Sequence, residues 1–180
     1  MLGRYENFPE NVHRIATFNF YEPAKSVQQA ILSSFCRLNK ESFDVGAITP
    51  YLQQPCEVSF EFGVADGFDF VFLDDAELKK CLEQIDESEF QVLDFFFTVR
   101  YYRFKGSRKI PLRFDYTVIR FRFYEDHLEA RIRHEKGTQR ISLDDLTAFI
   151  AKQINVELSS KGLCPIVLRE SDKIRIEFSD

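Results

Sequence analysis

Residues 120–133 read RFRFYEDHLEARIR. Apolar and charged residues alternate strictly on both sides of Glu125-Asp126, which is the period-2 pattern of two strands joined by a turn. The best register sets Phe123 against Leu128, Phe121 against Ala130 and Ile119 against Ile132. It gathers the apolar side chains on one face and the arginines on the other.

The pattern extends backwards. FQVLDFFFTVRYYRF (90–104) is apolar on both faces near Phe95–Phe97, as a central strand would be. PLRFDYTVIRFRFY (111–124) has no turn residue after its proline, yet its apolar phase switches from Leu112, Phe114, Tyr116 and Val118 to Ile119, Phe121 and Phe123. A β-bulge near 117–119 in one long strand would produce that switch and bend the sheet. Pairing Tyr101 with Leu112, Val99 with Phe114 and Phe97 with Tyr116 leaves Lys105–Arg108 as the loop.

Upstream, VHRIATFNFY (12–21) reads as a strand with Ala16, Phe18 and Phe20 on one face. A helix follows, with Pro23 in its first turn and Val27, Ile31, Phe35 and Leu38 buried. Residues 40–56 read as an irregular connection. VSFEFGVADGFDFVFL is a hairpin, and a three-residue Ala65-Asp66-Gly67 loop would pair Phe62 with Phe70 and Phe60 with Phe72, with Gly67 left-handed. DDAELKKCLEQIDE is a helix with an acidic first turn. A last helix opens at Ser142, its cap, with Asp145 three residues on, and ends at Gly162. PIVL and KIRIEF around RESD form a final hairpin. Hairpin followed by helix occurs at 58–87 and again at 117–158, a weak hint of duplication.

The expected fold is therefore a single α+β domain over residues 1–180. About seven or eight strands form a curved, mainly antiparallel sheet of hairpins with one bulged long strand, packed by about three helices on one face. Phe60, Phe62, Phe70, Phe72, Phe97, Phe114, Phe121 and Ile132 lie on the apolar parity of their strands and are expected in the core. Twenty Phe, seven Tyr and no Trp supply its bulk.

Cys36, Cys56, Cys81 and Cys164 have no paired spacing, so free thiols are expected. No run approaches the length of a membrane helix and the start lacks a signal-peptide core, which points to a cytoplasmic protein without membrane association.

Charge is unevenly spread. The net charge is -5, but residues 1–99 carry 7 Lys/Arg against 17 Asp/Glu, while residues 100–140 carry 12 against 5. On the registers above, Arg100, Arg113, Arg120, Arg122, Arg131 and Arg133 project from the face opposite the Phe core. Arg100 would face Arg113, and Arg120 would face Arg131. Like charges across a ladder are destabilising, so compensation is required. Asp115, Glu129 and Glu135 are the carboxylates nearby in sequence, too few for six guanidiniums. Guanidinium forks suit phosphate and carboxylate oxygens.

These six arginines are the candidate anion-binding residues. The leading expectation is a non-catalytic binding protein that holds a phosphorylated small molecule or an acidic protein surface, with no cofactor. The alternation in LEARIR resembles strands of the triphosphate tunnel enzymes, whose first strand carries E-x-E-x-K. EVSFEFG, the nearest stretch here, lacks the Lys and that spacing, so the resemblance covers one strand. A phosphate-handling enzyme with a charged barrel interior is the alternative it implies. A homo-oligomer pairing basic sheet with acidic helices, without a small-molecule ligand, is a further one. RYYRFKGSRK interleaves aromatics with cations as nucleic-acid-binding sheets do, but the acidity of the rest of the chain weighs against that partner. His13, His127 and His134 are dispersed, and no metal or nucleophile motif accompanies them.

Overall fold

A computed structural model describes residues 1–50 and 56–169. The described residues form three helices and eight strands in one curled antiparallel sheet, an α+β fold. The strands are Arg14–Asn19 (β1), Ser42–Asp44 (β2), Glu57–Asp66 (β3), Asp69–Phe72 (β4), Val92–Lys105 (β5), Arg108–Phe123 (β6), His127–Lys136 (β7) and Val167–Leu168 (β8). The helices are Ala24–Leu38 (α1), Asp75–Glu87 (α2) and Leu143–Ser160 (α3). The sheet order is β2-β3-β5-β6-β7-β1-β8, and β4 pairs with the far end of β3.

Local chemistry explains the helix ends. Asp74 accepts a hydrogen bond from the Glu77 amide at 2.8 Å, and Ser142 accepts one from the Asp145 amide at 3.1 Å. Beyond α3, Gly162 takes φ +69°, and the Leu163 amide returns to the Leu158 carbonyl. Residues 40–50, expected to be irregular, contain the short strand β2 and a 3-10 turn at Val45–Ala47. Of the final hairpin, only its first part is described, as β8 beside β1; the rest lies outside the described residues.

The core lies between one sheet face and the helices. Phe35 of α1 stacks on Phe62 with ring centroids 4.1 Å apart and meets Phe95 edge-on at 4.7 Å. Phe60 stacks on Phe149 of α3 at 5.6 Å. Between the sheet and α3 one small cavity of about 10 Å³ lies among Phe18, Phe121 and Ile150, and the side chains around it are buried. Cys36, Cys56 and Cys81 are buried, Cys164 is exposed, and all four are unpaired. Among the described residues no helix is long and apolar enough to cross a membrane.

The β6–β7 register matches the expected one: Phe123 faces Leu128, Ile119 faces Ile132 and Arg120 faces Arg131. Two other registers differ. The β3–β4 turn is Gly67-Phe68, closed by Asp66 opposite Asp69, with Gly67 at φ +72°. Gly at the first of two central positions suits a type II′ turn. The amides and carbonyls of this tip are engaged by the N-terminal segment: Gly67 N–H donates to the Arg4 carbonyl at 3.0 Å and Glu6 N–H to the Gly67 carbonyl at 2.8 Å. A distant segment thus sets the turn. As a result Phe72 pairs with Gly63 and is exposed, and Phe70 is half-buried on the outer face.

In the β5–β6 pair the expected register holds near the turn, where Tyr102 faces Pro111 and Lys105 faces Arg108. It shifts by one beyond it, where Arg100 faces Phe114 and Val99 faces Asp115. The extra residue is on β6, where Leu112-Arg113 oppose Tyr101 alone, so the bulge sits there and not at 117–119. A second irregularity lies between Tyr116 and Thr117 in the pairing with β7. The earlier bulge turns Phe114 outward, leaving it exposed, and turns Asp115 inward. Phe60, Phe62, Phe97, Phe121 and Ile132 are buried as expected.

Past Tyr102 on β5 and before Tyr116 on β6, the two strands have no other strand partner among the described residues. They form a two-stranded arm with Gly106-Ser107 at its tip.

Candidate functional site

Bulging β6 places Asp115 on the core side, where its carboxylate accepts from the Tyr101 hydroxyl at 2.6 Å and from the Gln139 amide at 2.7 Å. His134 Nε2 lies 3.0 Å from the same carboxylate, and His13 Nδ1 accepts from the His134 amide at 3.1 Å. Burial, and then the hydrogen bond to Asp115, push the Tyr101 hydroxyl well above its ordinary range. Asp115 is thus a buried structural acceptor rather than a counter-charge for the arginine face. His134 is a satisfied strand histidine.

The structure places the six arginines as follows. Arg120 Nε and Nη2 donate to Asp94 at 2.8 and 2.7 Å, a bidentate pair whose carboxylate is fully buried. Its guanidinium also lies 4.4 Å from the Phe8 ring centroid. Arg131 pairs with Glu129 at 3.1 Å on its own strand, so Asp94 and Glu129 compensate the Arg120–Arg131 juxtaposition. Arg133 lies 3.4 Å from Glu135 and donates to the Asn11 carbonyl at 2.8 Å. Arg100 pairs with Glu61 at 2.8 Å and sits 5.5 Å over the Phe114 ring. Arg122 lies 5.7 Å over Tyr124. Arg113 belongs to the bulge, beside Phe114 rather than opposite Arg100. Among the described residues, Arg113 and Arg122 have no carboxylate in ion-pair range.

Asp94 escaped the sequence reading because its partner lies across a strand pair and its burial comes from residues 1–10. The Tyr5 amide donates to Asp94 at 2.8 Å, the Asp94 amide donates to the Gly3 carbonyl at 2.7 Å, and Arg120 donates to the Tyr5 carbonyl at 3.2 Å. Burial pushes the Asp94 carboxyl upward, against the opposing pull of Arg120 and the Tyr5 amide. The N-terminal segment is thereby fastened across the outer face.

It walls a groove of about 910 Å³. The floor is a row of rings spanning three strands and the wall: Tyr5 to Phe70 at 4.7 Å, Phe70 to Phe96 at 5.6 Å, and Phe96 to Tyr116 at 5.3 Å. Phe114 continues the row 4.9 Å from Tyr116. Gly63 lies close under Phe70, since a Cβ there would come within 3.3 Å of the Phe70 Cβ. Arg133 and Lys136 line the groove beside Glu10 and Glu135. The outward parity of Phe96, Tyr116 and Phe114 was the available signal, an apolar second face on a central strand.

Apolar rings beneath rim cations can hold a flat, partly apolar molecule and neutralise a negative group on it. Of the six arginines, Arg133 lines this groove and Arg120 fastens its wall, while Arg100 lies over Phe114, outside the lining. Arg122 and Arg131 do not line it. Among the described residues no group of three or more His, Cys, Asp or Glu side chains is placed to hold a metal ion. Comparison of the chain with family models, curated proteins and solved structures finds no match.

Proposed function

We propose that the protein is a non-catalytic binding protein whose outer sheet face holds an anionic ligand with a flat, apolar body. The observation that carries this reading is the groove of about 910 Å³ in which an aromatic floor adjoins Arg133 and Lys136. The volume falls within the range of roughly 300–1,000 Å³ common for small-molecule sites. Tyr5, Phe70, Phe96, Tyr116 and Val118 give the lining its apolar surface, and Arg133 and Lys136 stand there beside Glu10 and Glu135. The core face, by contrast, is filled by Phe side chains and helices, which argues for the outer face as the binding surface.

Calorimetric titration with purine and pyrimidine nucleotides tests the reading. Saturable binding is expected, weakened at least tenfold when Arg133→Gln and Lys136→Gln are combined, since two charge-assisted contacts of roughly 1.5–3 kcal/mol each would be lost. Absence of binding by every nucleotide at low salt would overturn it.

A further inference from the structure

We infer that the chain associates with itself, the β5–β6 arm of one copy adding to the free edge of β4 in a second copy. The inference does not draw on the groove's ligand. β4 has β3 on one side and, among the described residues, no strand on the other. It carries a single charge, on Asp69, and leaves Val71 and Phe72 exposed, with Phe68 exposed in the adjoining turn. A strand edge pairs with another chain unless charge, proline or a covering segment blunts it, and this edge is mostly apolar. The occupant it fits is an added strand.

Charge says which strand. Residues 61–89 hold ten acidic residues against Lys79 and Lys80, while residues 100–114 hold six arginines and lysines and no acid. Among the described residues, Asp69 and Asp74, which flank β4, have no cation in ion-pair range. Arg103, Lys105 and Arg108 on the arm have no carboxylate in ion-pair range either. The acidic edge and the basic arm each lack what the other carries.

The two strands also share one alternation. Arg103, Lys105 and Arg108 lie on the Tyr101 side of the sheet, and Phe104 lies on the other. On β4, Asp69 and Val71 lie on the side of buried Val64, which is also the Tyr101 side, and Phe70 and Phe72 lie opposite. Laid edge to edge with these faces aligned, the arm brings its cations to Asp69 and Phe104 to Phe70 and Phe72. Opposite charges and aromatic pairs both stabilise neighbouring strands. The flipped arrangement would set cations against rings and Phe104 against Asp69.

One copy cannot make this contact with itself. Tyr102 at the arm's root faces Glu57, whereas Phe72 faces Gly63, six residues along β3 or about 20 Å at the ~3.3 Å rise of a strand. From Tyr102 the arm runs away from β4, so the edge it reaches belongs to another copy. A contact this short is of the transient, reversible kind.

Sedimentation equilibrium of the whole chain, from micromolar to millimolar at low salt, tests the inference. An arm variant combines Arg103→Glu, Lys105→Glu and Arg108→Glu, and an edge variant combines Asp69→Lys and Phe72→Lys, all at exposed positions. Wild type is expected to associate with rising concentration, and less so at high salt. Each variant alone should associate at least about tenfold more weakly, because like charges then meet at the contact. An equimolar mixture of the two should recover association, since native arm meets native edge and Glu-bearing arm meets Lys-bearing edge. A misfolded variant would not be rescued in this way. The milder Lys105→Gln and Phe72→Ser should each weaken association by a smaller factor.

A wild-type chain that stays monomeric throughout would overturn the inference, as it would if the edge takes a strand from a different protein. Association that ignores both variants would place the contact elsewhere. Weakening by one variant alone, or no recovery on mixing, would refute the pairing of arm with edge.

Discussion

Arg120 and Asp94 meet across the β5–β6 pair through hydrogen bonds of 2.8 and 2.7 Å, and the carboxylate side chain has no exposed surface. A buried charge stripped of its partner is strongly unfavourable, at about 3–5 kcal/mol. Arg120→Met should therefore lower unfolding free energy by about that amount near neutral pH, measured in urea. Asp94→Asn removes the charge and one of the two acceptor oxygens that Arg120 and Tyr5 share, and should speed amide exchange at Tyr5 more than at Phe97. Equal protection of Tyr5 in wild type and Asp94→Asn would show that the pair does not fasten the N-terminal segment.

Gly137 sits against the Asp115 cluster with φ +120°, and a Cβ there would fall 2.2 Å from Asp115 Oδ1 and 2.5 Å from the Phe114 carbonyl oxygen. Gly137→Ala combines backbone strain with a clash against backbone, so a loss of about 3 kcal/mol is expected. Gly106→Ala, at φ +63° with nothing within 4 Å, should cost about 1 kcal/mol. Thermal unfolding of the two variants side by side checks the difference.

Alkaline pH should destabilise the fold. Burial holds the Cys81 thiol up at about 12, and burial with the Asp115 hydrogen bond raises the Tyr101 hydroxyl. Raised folded values mean that the native state keeps protons the unfolded chain releases, so stability is intact below the unfolded values and falls as pH rises past them. Decline should begin near pH 8.5–9 with the thiols and steepen above about pH 10. Each fully released proton adds a slope of about 1.4 kcal/mol per pH unit. Cys81→Ala should flatten the curve between about pH 9 and 10; an unchanged curve there would refute the assignment.

Arg122→Gln combined with Arg131→Gln separates the wider arginine face from the groove. Neither residue lines the groove, so nucleotide affinity should match wild type. Stability should move by less than about 1 kcal/mol, because the Arg131–Glu129 pair is partly solvated and its loss also relieves repulsion against Arg120. A tenfold loss of affinity would relocate the site.

The parts legible in sequence are those fixed by local contrast. The β6–β7 register followed from strict alternation across a short turn, and the caps at Ser142 and Gly162 from chemistry within a few residues. The β3–β4 register was not legible, because Gly67 takes its partners from residues 4 and 6, and Phe70 points outward to cover Gly63. The β5–β6 bulge was misplaced because the phase switch it produces resembles one located further along. At the site, the arginines were visible as a set. Their division between ion pairs, wall and groove was not, since Asp94, Glu61 and the N-terminal segment approach from far along the chain.

Tyr5 reaches Asp94 across 89 residues, and Arg120 reaches Tyr5 across 115. The hairpins of the sheet close far shorter loops, and closing a longer loop costs more chain entropy before its contacts repay it. The N-terminal wall is expected to be laid down after the strands beneath it have paired. Binding competence would then arrive later in folding than the core, once residues 1–11 complete the groove wall and Tyr5 joins the aromatic row.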